Sequence, residues 1–385
     1  MNSERYQVVI VGAGLVGAAA ALALGRQGLR VALVERQPPS LPDDAWDTRI
    51  YAITPANQRF LERLGAWQRM DAGRVQPVYR MDVAGDASGA VRLDAYESGV
   101  SHLAAIVESG RLQDALWQAL EADGTVALHC PAAIASIVRE DAFSRLTLAD
   151  GSVLEAELVV GADGAASRIR EWAGLASTLT PYGQSGVVAN FECEIPHRGT
   201  AFQWFFDGDI LAWLPLNGNC MSMVWSTQSA HADELVALDA AALVAQVQAA
   251  GHGRLGALRL LTPAAAFPLR LIRVEAVVAP GVALIGDAAH GVHPLAGQGV
   301  NLGFGDAEAL VEVLAQHRRT YCGDVRVLQG YARQRAEPVQ RMQALTHGLH
   351  HLFADNRAAW LRNAGMTIVN RLPPLKAALV REAMS

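Results

Sequence analysis

One aspartate, Asp287, and several glycines stand together in the stretch 286–302, between an apolar run at 282–285 and a helical apolar pattern at 303–316. A strand, a glycine-rich loop and a helix in this order present backbone N–H groups and the positive end of a helix dipole to an anionic ligand. The histidines here, His290 and His293, could move a proton or make a structural hydrogen bond. For His290 we expect the structural hydrogen bond, because it directly follows the turn.

A second group of glycines, Gly12, Gly14 and Gly17, has the spacing GxGxxG and lies between an apolar strand and an alanine-rich helix. The next strand ends at Glu35, eighteen residues after Gly17. In this setting the first glycine makes a turn, the second lets a pyrophosphate touch the backbone, and the third lets helix and strand pack closely. Glu35 would accept hydrogen bonds from an adenosine ribose. Packing alone could explain the glycines, but together with the acid they predict a dinucleotide site.

A third stretch follows the apolar strand predicted at 157–160, where Asp163 and Gly164 open another helix. The aspartate could serve a nucleotide or could simply cap the helix. Because the three stretches suit different parts of one ligand, with an adenosine diphosphate at one end, we predict that the ligand is FAD.

The composition of the 385 residues, 51 % apolar and 18 % charged, is that of a globular protein. A net charge of −6 without any basic run argues against a nucleic-acid partner. The four cysteines form no CxxC pair, which predicts reduced thiols. His347, His350 and His351 have helical spacing, but no carboxylate cluster lies near them, so we predict no metal site.

The chain changes character at about residue 180, from alternating strands and helices to aromatic runs with turns at 207–208 and 217–218. The aromatic face could be ordinary core or could wall an apolar substrate pocket. We predict an α/β fold with an α+β insert: a Rossmann-like FAD-binding domain interleaved with an antiparallel-sheet substrate domain, and a helical C-terminal region. The predicted boundaries are 1–72, 100–178 and 271–318 for the FAD-binding domain, 73–99 and 179–270 for the substrate domain, and 319–385 for the helical region.

The three glycine-rich motifs, in this order and at these separations, resemble those of the single-component (group A) FAD-dependent aromatic hydroxylases typified by p-hydroxybenzoate hydroxylase. The chain is also similar, over roughly residues 6–350, to the ubiquinone-biosynthesis hydroxylases. That closer resemblance is carried by Asp47-Thr48-Arg49 with Ala52-Ile53, by Tyr182-Gly183-Gln184-Ser185, by Ala266-Phe267-Pro268-Leu269 and by residues 286–303.

The resemblance implies a set of cofactor contacts. They are Gly12, Gly14, Gly17, Glu35 and Arg36 at the adenosine and pyrophosphate end, Arg49 on the flavin side, Asp163 and Gly164 for FAD and the passing nicotinamide nucleotide, Asp287 at the ribityl chain, and Pro294, Gly297, Gln298, Gly299, Val300 and Asn301 along the isoalloxazine ring. The family often has Glu-Asn-x-x-Leu where this chain has Glu108-Ser109-Gly110-Arg111-Leu112, and Arg111 is predicted to substitute for the missing asparagine. No catalytic residue is assigned; His290, His293, Tyr182 and Gln184 are candidates without a derived role.

The resemblance also implies a reaction. NAD(P)H and O2 would be co-substrates, and a C4a-hydroperoxyflavin would hydroxylate the aromatic ring of a polyprenylated phenol or quinol in ubiquinone biosynthesis. Within that family, the pattern around Trp117-Gln118-Ala119-Leu120 and Ala266-Phe267-Pro268-Leu269 looks most like the enzyme of the late step, on the methoxy-methyl-benzoquinol. Alternatives are another group A aromatic hydroxylase, an FAD-dependent prenyl reductase, and a non-enzymatic FAD-bearing scaffold of a biosynthetic complex.

The location follows from such a substrate, which resides in the bilayer. The sequence has no run of ~20 apolar residues that could span a membrane. We therefore expect a cytoplasmic protein with peripheral contact at the inner face of the cytoplasmic membrane. Residues 357–385 mix apolar and basic side chains and could form that contact, meet a ubiquinone-biosynthesis complex or a second copy of the chain, or simply pack as helices.

Overall fold

The computed structural model describes residues 4–86, 89–206, 208–291, 298–317 and 320–354, together with 370 and 376; the side chains of 347 and 349–354 are outside this description. The described strands, in chain order, are β1 (Glu4–Val11), β2 (Val31–Val34), β3 (Ile50–Ile53), β4 (Gln76–Val78), β5 (Arg80–Ala84), β6 (Ala90–Asp94), β7 (Ala104–Glu108), β8 (Val126–His129), β9 (Ile134–Arg139), β10 (Ser144–Leu148), β11 (Val153–Gly161), β12 (Ser177–Cys193), β13 (Thr200–Phe206), β14 (Asp209–Leu216), β15 (Cys220–Gln228), β16 (Leu258–Leu260), β17 (Ala265–Val274), β18 (Val278–Ala279), β19 (Val282–Leu284) and β20 (His290–Gly291). The α-helices are α1 (Leu15–Arg26), α2 (Pro55–Arg63), α3 (Ser109–Asp123), α4 (Arg168–Trp172), α5 (Ser229–Ala237), α6 (Ala240–Ala250), α7 (Gly299–Gln316) and α8 (Val325–Ala354).

The first sheet has the order β18-β19-β11-β1-β2-β8, and its five strands from β19 to β8 run parallel. All four residues of β2 are buried, as expected of a central parallel strand covered on both faces. The alanines of α1 are buried as well and let that helix pack closely. Because Val11 pairs with both Val34 and Gly161, the carboxyl ends of β1, β2 and β11 meet at one edge. Ligands of doubly wound sheets bind at this edge.

The second sheet is mostly antiparallel and has the order β20-β17-β12-β15-β14-β13-β5-β6. One face packs beneath α5 and α6, where Trp204, Trp213 and Trp225 are buried in a core of their own. A third sheet, β3-β7-β4, completes the set among the described residues. The mixed α/β fold with an antiparallel insert, predicted from sequence, is confirmed.

The predicted domain boundaries fall inside continuous strands: 178/179 lies within β12 and 270/271 within β17. The division into domains stays a prediction. The strand β4, predicted to belong to the substrate domain, pairs with β7 in the third sheet.

Helix α7 begins at Gly299, four residues before the predicted start. Glycine is a poor helix former, which hid this first turn. Close packing explains a second glycine of this helix, Gly303. A Cβ on Gly303 would stand 2.5 Å from Cγ2 of Val16 and 3.3 Å from Cα of Gly286. The helix therefore packs directly on the turn before it.

Candidate active site

A cavity of about 1550 Å³ runs from the carboxyl edge of the first sheet, past the third sheet, to the inner face of the second sheet. Its first part is lined by Gly12, Gly14, Glu35, Arg36, Asp163 and Gly164, its middle by Arg49, Tyr51, Ser109, Gln113, Asp287, Gln298, Gly299 and Val300, and its far part by the second sheet. Residues from both ends of the described chain thus meet along one continuous space.

The GxGxxG glycines form a tight turn, a close contact between helix and turn, and an open helix N-terminus. Gly12 has φ +101°, and a Cβ on it would lie 2.4 Å from the carbonyl oxygen of Ala162. A Cβ on Gly17 would lie 1.9 Å from the carbonyl oxygen of Gly12, so helix and turn touch there. Gly14, the N-cap of α1, has no atom within 4 Å of a Cβ position and lines the cavity. The open backbone at a helix N-terminus suits a pyrophosphate.

Two carboxylates flank this turn and already accept backbone hydrogen bonds. Glu35 accepts the N–H of Ala13 and that of Arg36, both at 2.7 Å, which fixes its carboxylate at the cavity wall. Asp163 accepts the hydroxyl of Ser167 at 2.5 Å and the N–H of Arg168 at 2.8 Å. Asp163 therefore caps α4 and also lines the cavity, as Gly164 does.

Asp287 projects into the middle of the cavity. Its side chain is accessible to solvent within the cavity, although protein surrounds the cavity itself. Burial in that space raises the pKa of its carboxyl, against the opposing charges of His290 and Arg49. Tyr51 lies near Arg49 and Asp287, and burial raises the pKa of its phenol. The side chain of Arg49 forms no hydrogen bond or ion pair within the described part of the chain, so it can serve a ligand.

The loop that carries Arg49 is fastened by Glu108, which is 1 % exposed. One oxygen of Glu108 accepts the N–H of Asp47 at 2.8 Å, and the carboxylate binds Arg74 at 2.7 Å through two nitrogens. Arg111 donates to Glu108 at 3.1 Å and to the carbonyl of Asp43 at 2.6 Å. Arg111 does not line the cavity, whereas Ser109, at the position of the family asparagine, does. The geometry gives no support to a flavin contact by Arg111, and that role stays a prediction.

The N-terminal turn of α7 lines the cavity at Gln298, Gly299 and Val300. Asn301 points elsewhere: its Oδ1 accepts the N–H of Thr54 at 3.0 Å and its Nδ2 donates to the carbonyl of Ala52 at 2.8 Å. It therefore joins α7 to the segment between β3 and α2. His293, Pro294 and Gly297 lie outside the described residues.

Of the four catalytic candidates, the three within the described residues, His290, Tyr182 and Gln184, do not line the cavity. His290 is buried behind the turn, and its Nε2 lies 2.6 Å from Oδ2 of Asp306, the structural hydrogen bond expected from the sequence. Gln184 donates to the carbonyl of Gly208 at 3.2 Å. Tyr182 lies near Arg273, and burial raises the pKa of its phenol. No chemical role follows for any of the three.

The far part of the cavity is an apolar chamber on the inner face of the second sheet. It is lined by Met81, Leu93, Val188, Ala201, Phe202, Gln203, Ile210, Ala212, Leu214, Val224, Ser226, Ala265, Ala266 and Phe267. The three tryptophans belong to the core on the other face, together with Phe202, whose ring stacks on Trp204, so the aromatic ring of the chamber is that of Phe267. Gln203 and Ser226 are the polar side chains among these described residues.

Some lining residues were not predicted from the sequence as site residues. Tyr51 and Ser109 meet across β3 and the start of α3, and Gln113 donates to the carbonyl of Ala13 at 2.5 Å. Only the pairing of β3 with β7, which puts Tyr51 opposite Val107, brings them together. Within the described ranges no group of three potential ligands suits a metal ion.

The residues present fit FAD along its whole length. The open cradle at Gly14 and the carboxylate of Glu35 suit an adenosine diphosphate, while Asp287, Arg49 and the N-terminus of α7 suit the ribityl and flavin end. A dinucleotide cleft that opens into an apolar chamber defines an FAD-dependent oxidoreductase.

Comparison with known proteins agrees with this class. The family model described as FAD binding domain matches residues 5–346. The chain is 36 % identical to 3-demethoxyubiquinol 3-hydroxylase of Escherichia coli, over 100 % of both chains. It is 35 % identical to ubiquinone hydroxylase UbiL of Rhodospirillum rubrum, over 98 % of this chain and 89 % of the relative. The crystal structure of PqsL, a probable FAD-dependent monooxygenase from Pseudomonas aeruginosa, superposes with a TM-score of 0.80 at 25 % identity, covering 95 % of this chain and 100 % of that one.

The chain belongs to the ubiquinone-biosynthesis hydroxylases, a family of FAD-dependent monooxygenases. The predicted family, cofactor and enzyme class are thereby confirmed, and the alternative of a non-enzymatic scaffold is set aside. No helix within the described ranges combines the length and the apolar character needed to cross a membrane.

Proposed function

We propose that this monooxygenase hydroxylates the aromatic ring of a polyprenylated phenol or quinol, at the late step in which a demethoxy-quinol gains its hydroxyl group. The observation that carries the proposal is the apolar chamber, which continues the cofactor cleft within one cavity. The full-length similarity to 3-demethoxyubiquinol 3-hydroxylase supports the choice of step.

Each part of the cavity has its own task in this reaction. FAD held by Glu35, Asp287 and the N-terminus of α7 would supply hydride acceptance from NAD(P)H and activation of O2 for hydroxylation of the ring. The first backbone N–H groups of α7, at Gly299 and Val300, have no partner within the helix and stabilise negative charge on the ligand beside them. The apolar walls keep water from the reacting centre. Arg49 adds a positive charge on the side facing Asp287.

Gln203 and Ser226 suit the oxygen substituents of a quinol ring. They lie on β13 and β15, with β14 between them, so about 10 Å separates their strands. Both are more than 90 % buried, and their polar groups stand among apolar walls. A quinol carries oxygens on opposite sides of its ring, whereas a prenyl chain carries none, so the two residues would orient the ring and leave the chain to the apolar surface.

The decisive experiment uses the purified FAD-loaded enzyme with short-chain analogues of each quinol precursor. We expect hydroxylated product and O2 consumption with the demethoxy-quinol analogue, and expression of the gene should restore ubiquinone in cells that lack this one hydroxylase. Hydroxylation of a different precursor, with the demethoxy analogue untouched, would move the enzyme to another step. Oxidation of NAD(P)H with a product that has gained hydrogen but no oxygen would identify a reductase.

A substitution separates ring recognition from cofactor binding. Gln203→Leu should raise KM for the quinol roughly tenfold, the loss of about one buried hydrogen bond, while FAD affinity stays unchanged. Ile210→Val on the same inner face removes one methylene and no polar group, and serves as the matched control. Equal kinetics for the two variants would remove Gln203 from the recognition of the ring.

We also propose that the enzyme meets its substrate at a membrane surface, because a polyprenylated quinol partitions into lipid. Full-length protein should float with vesicles that contain anionic lipid and a prenylated quinol, and more weakly at high salt. Absence of flotation with vesicles of either composition would contradict peripheral attachment and would favour delivery by a protein partner or a second copy of the chain.

A further inference from the structure

One buried carboxylate joins three elements directly behind the Gly286–Asp287 turn. Asp306, on α7, is fully buried, and its Oδ2 accepts the N–H of Gly286 at 2.9 Å and lies 2.6 Å from Nε2 of His290. Its Oδ1 accepts Nε of Arg335, on α8, at 2.8 Å. The turn, α7 and α8 therefore meet at a single side chain that does not itself line the cavity.

Helix α8 is fixed on both sides of that junction. Nη2 of Arg335 donates to the carbonyl of Leu302 at 3.0 Å, on the first turn of α7. Tyr331, one turn earlier in α8, donates its hydroxyl to the carbonyl of Leu284 at 2.7 Å, at the end of β19. The guanidinium of Arg335 therefore donates to two acceptors on α7, which fixes its position relative to that helix.

The turn itself has little freedom once the carboxylate is in place. Gly286 has φ +60°, its N–H is taken by Asp306, and its carbonyl accepts the N–H of Ala289 at 2.8 Å. Asp287 follows at once and points into the cavity. A change in the peptide plane of Gly286 would redirect Asp287, since the two residues share a bond.

We propose that Asp306, held by Arg335 of α8, is a positioning residue that sets the Gly286–Asp287 turn for FAD. The charges support this arrangement, because one carboxylate lies between a guanidinium and an imidazole in a site closed to water. Helix α8 thus acts on the cofactor site from beyond the predicted boundary at 318/319.

Five variants of the full chain test the proposal. Asp306→Asn and Arg335→Gln break the junction, and Arg335→Lys keeps its charge while losing the second attachment. Tyr331→Phe is the matched control, because it removes a buried hydrogen bond between the same helix and β19 without touching the turn. Arg333→Gln makes the same substitution on an exposed position of α8. For each protein we would measure the urea midpoint of the apoprotein, the Kd for FAD, and the visible circular dichroism of the bound flavin at saturation.

We expect Asp306→Asn and Arg335→Gln to raise the Kd for FAD at least about tenfold and to alter the flavin dichroism, with Arg335→Lys recovering part of both. Tyr331→Phe should lower the urea midpoint yet leave the Kd within about twofold and the dichroism unchanged. The proposal is overturned if the flavin dichroism is unaltered in every variant and the Kd for FAD correlates linearly with the urea midpoint across all of them. The junction would then contribute only general packing stability. If Asp306→Asn does not fold, the comparison of Arg335→Gln with Arg335→Lys separates positioning from general packing by the same two readouts. None of these readouts depends on the substrate.

Discussion

Replacing Glu108 by glutamine tests how the flavin-side loop is held. The substitution keeps the volume of the side chain but removes the negative charge that binds both Arg74 and Arg111. The NH2 group of the new amide would point toward the N–H donors of these arginines. Breaking a buried ion pair from one side costs about 3–5 kcal/mol. The side chains of Arg74 and Arg111 are 14 % and 16 % exposed, so both can turn partly toward water, and we expect a loss of about 2–4 kcal/mol in the free energy of unfolding.

The substitution of Glu108 should also lower the affinity for FAD. Glu108 holds the N–H of Asp47, and Asp47 accepts the N–H of Arg49 at 2.8 Å and that of Gly110 at 3.0 Å. Loosening this chain of bonds should weaken FAD binding by about 1 kcal/mol, the usual value of one hydrogen bond.

Urea unfolding of the apoprotein and fluorescence titration with FAD measure the two effects separately. Arg74→Gln should resemble Glu108→Gln, whereas Arg111→Gln should be milder, because Arg111 makes one contact with the carboxylate and Arg74 makes two. The reasoning is refuted if Glu108→Gln leaves both quantities unchanged. A larger loss of FAD affinity in Arg111→Gln than in Arg74→Gln would instead restore the flavin contact predicted for Arg111.

Three further predictions concern the cofactor carboxylates and the buried histidine. Glu35→Ala should weaken FAD binding by roughly 1–3 kcal/mol in calorimetric titration, and unchanged affinity would remove Glu35 from the ribose site. Asp287→Ala should weaken FAD at least as much and uncouple NAD(P)H oxidation from hydroxylation; full occupancy with full coupling would mean that the turn is not a flavin site. Burial alone would lower the pKa of His290, but the charge and hydrogen bond of Asp306 raise it above 6.5. The stability from this pair is therefore complete below about pH 6.5 and lost as the pH rises through the folded pKa, so urea unfolding should show a steeper decline with pH above about pH 6.5 in the wild type than in His290→Gln.

The parts of the site that the sequence predicted are those fixed by local rules. A strand, a turn and a helix must follow each other in a dinucleotide fold, so Gly12, Gly14 and Gly17 could be assigned individual roles from spacing alone. The fold class could be predicted for the same reason, because apolar runs and alternating aromatic runs differ in period.

The parts that escaped prediction depend on pairings between distant positions. Glu108 meets Arg74 across 34 residues and Asp306 meets Arg335 across 29, and neither spacing has a period that a sequence pattern could show. The same holds for Tyr51, which reaches the cavity only because β3 pairs with β7. The sequence also could not show that Trp204, Trp213 and Trp225 face α5 and α6 instead of the chamber, because both faces of the second sheet are apolar there.

The strands β12 and β17 have a practical consequence for protein engineering. Almost the whole of β17 pairs with the first part of β12, from Val274 opposite Ser177 to Ala265 opposite Val188, with a register shift between Pro181 and Ser185, and β17 also pairs with β20 just after the Gly286–Asp287 turn. A chimera that exchanges the second sheet between two relatives at 178/179 and 270/271 would place both junctions inside strands, two residues into β12 and in the middle of β17, and create mismatched ladders. Recombination crossovers belong instead at the loops outside 177–193 and 265–274, where a graft would carry its own strand pair intact and bring a new chamber to an unchanged cofactor site.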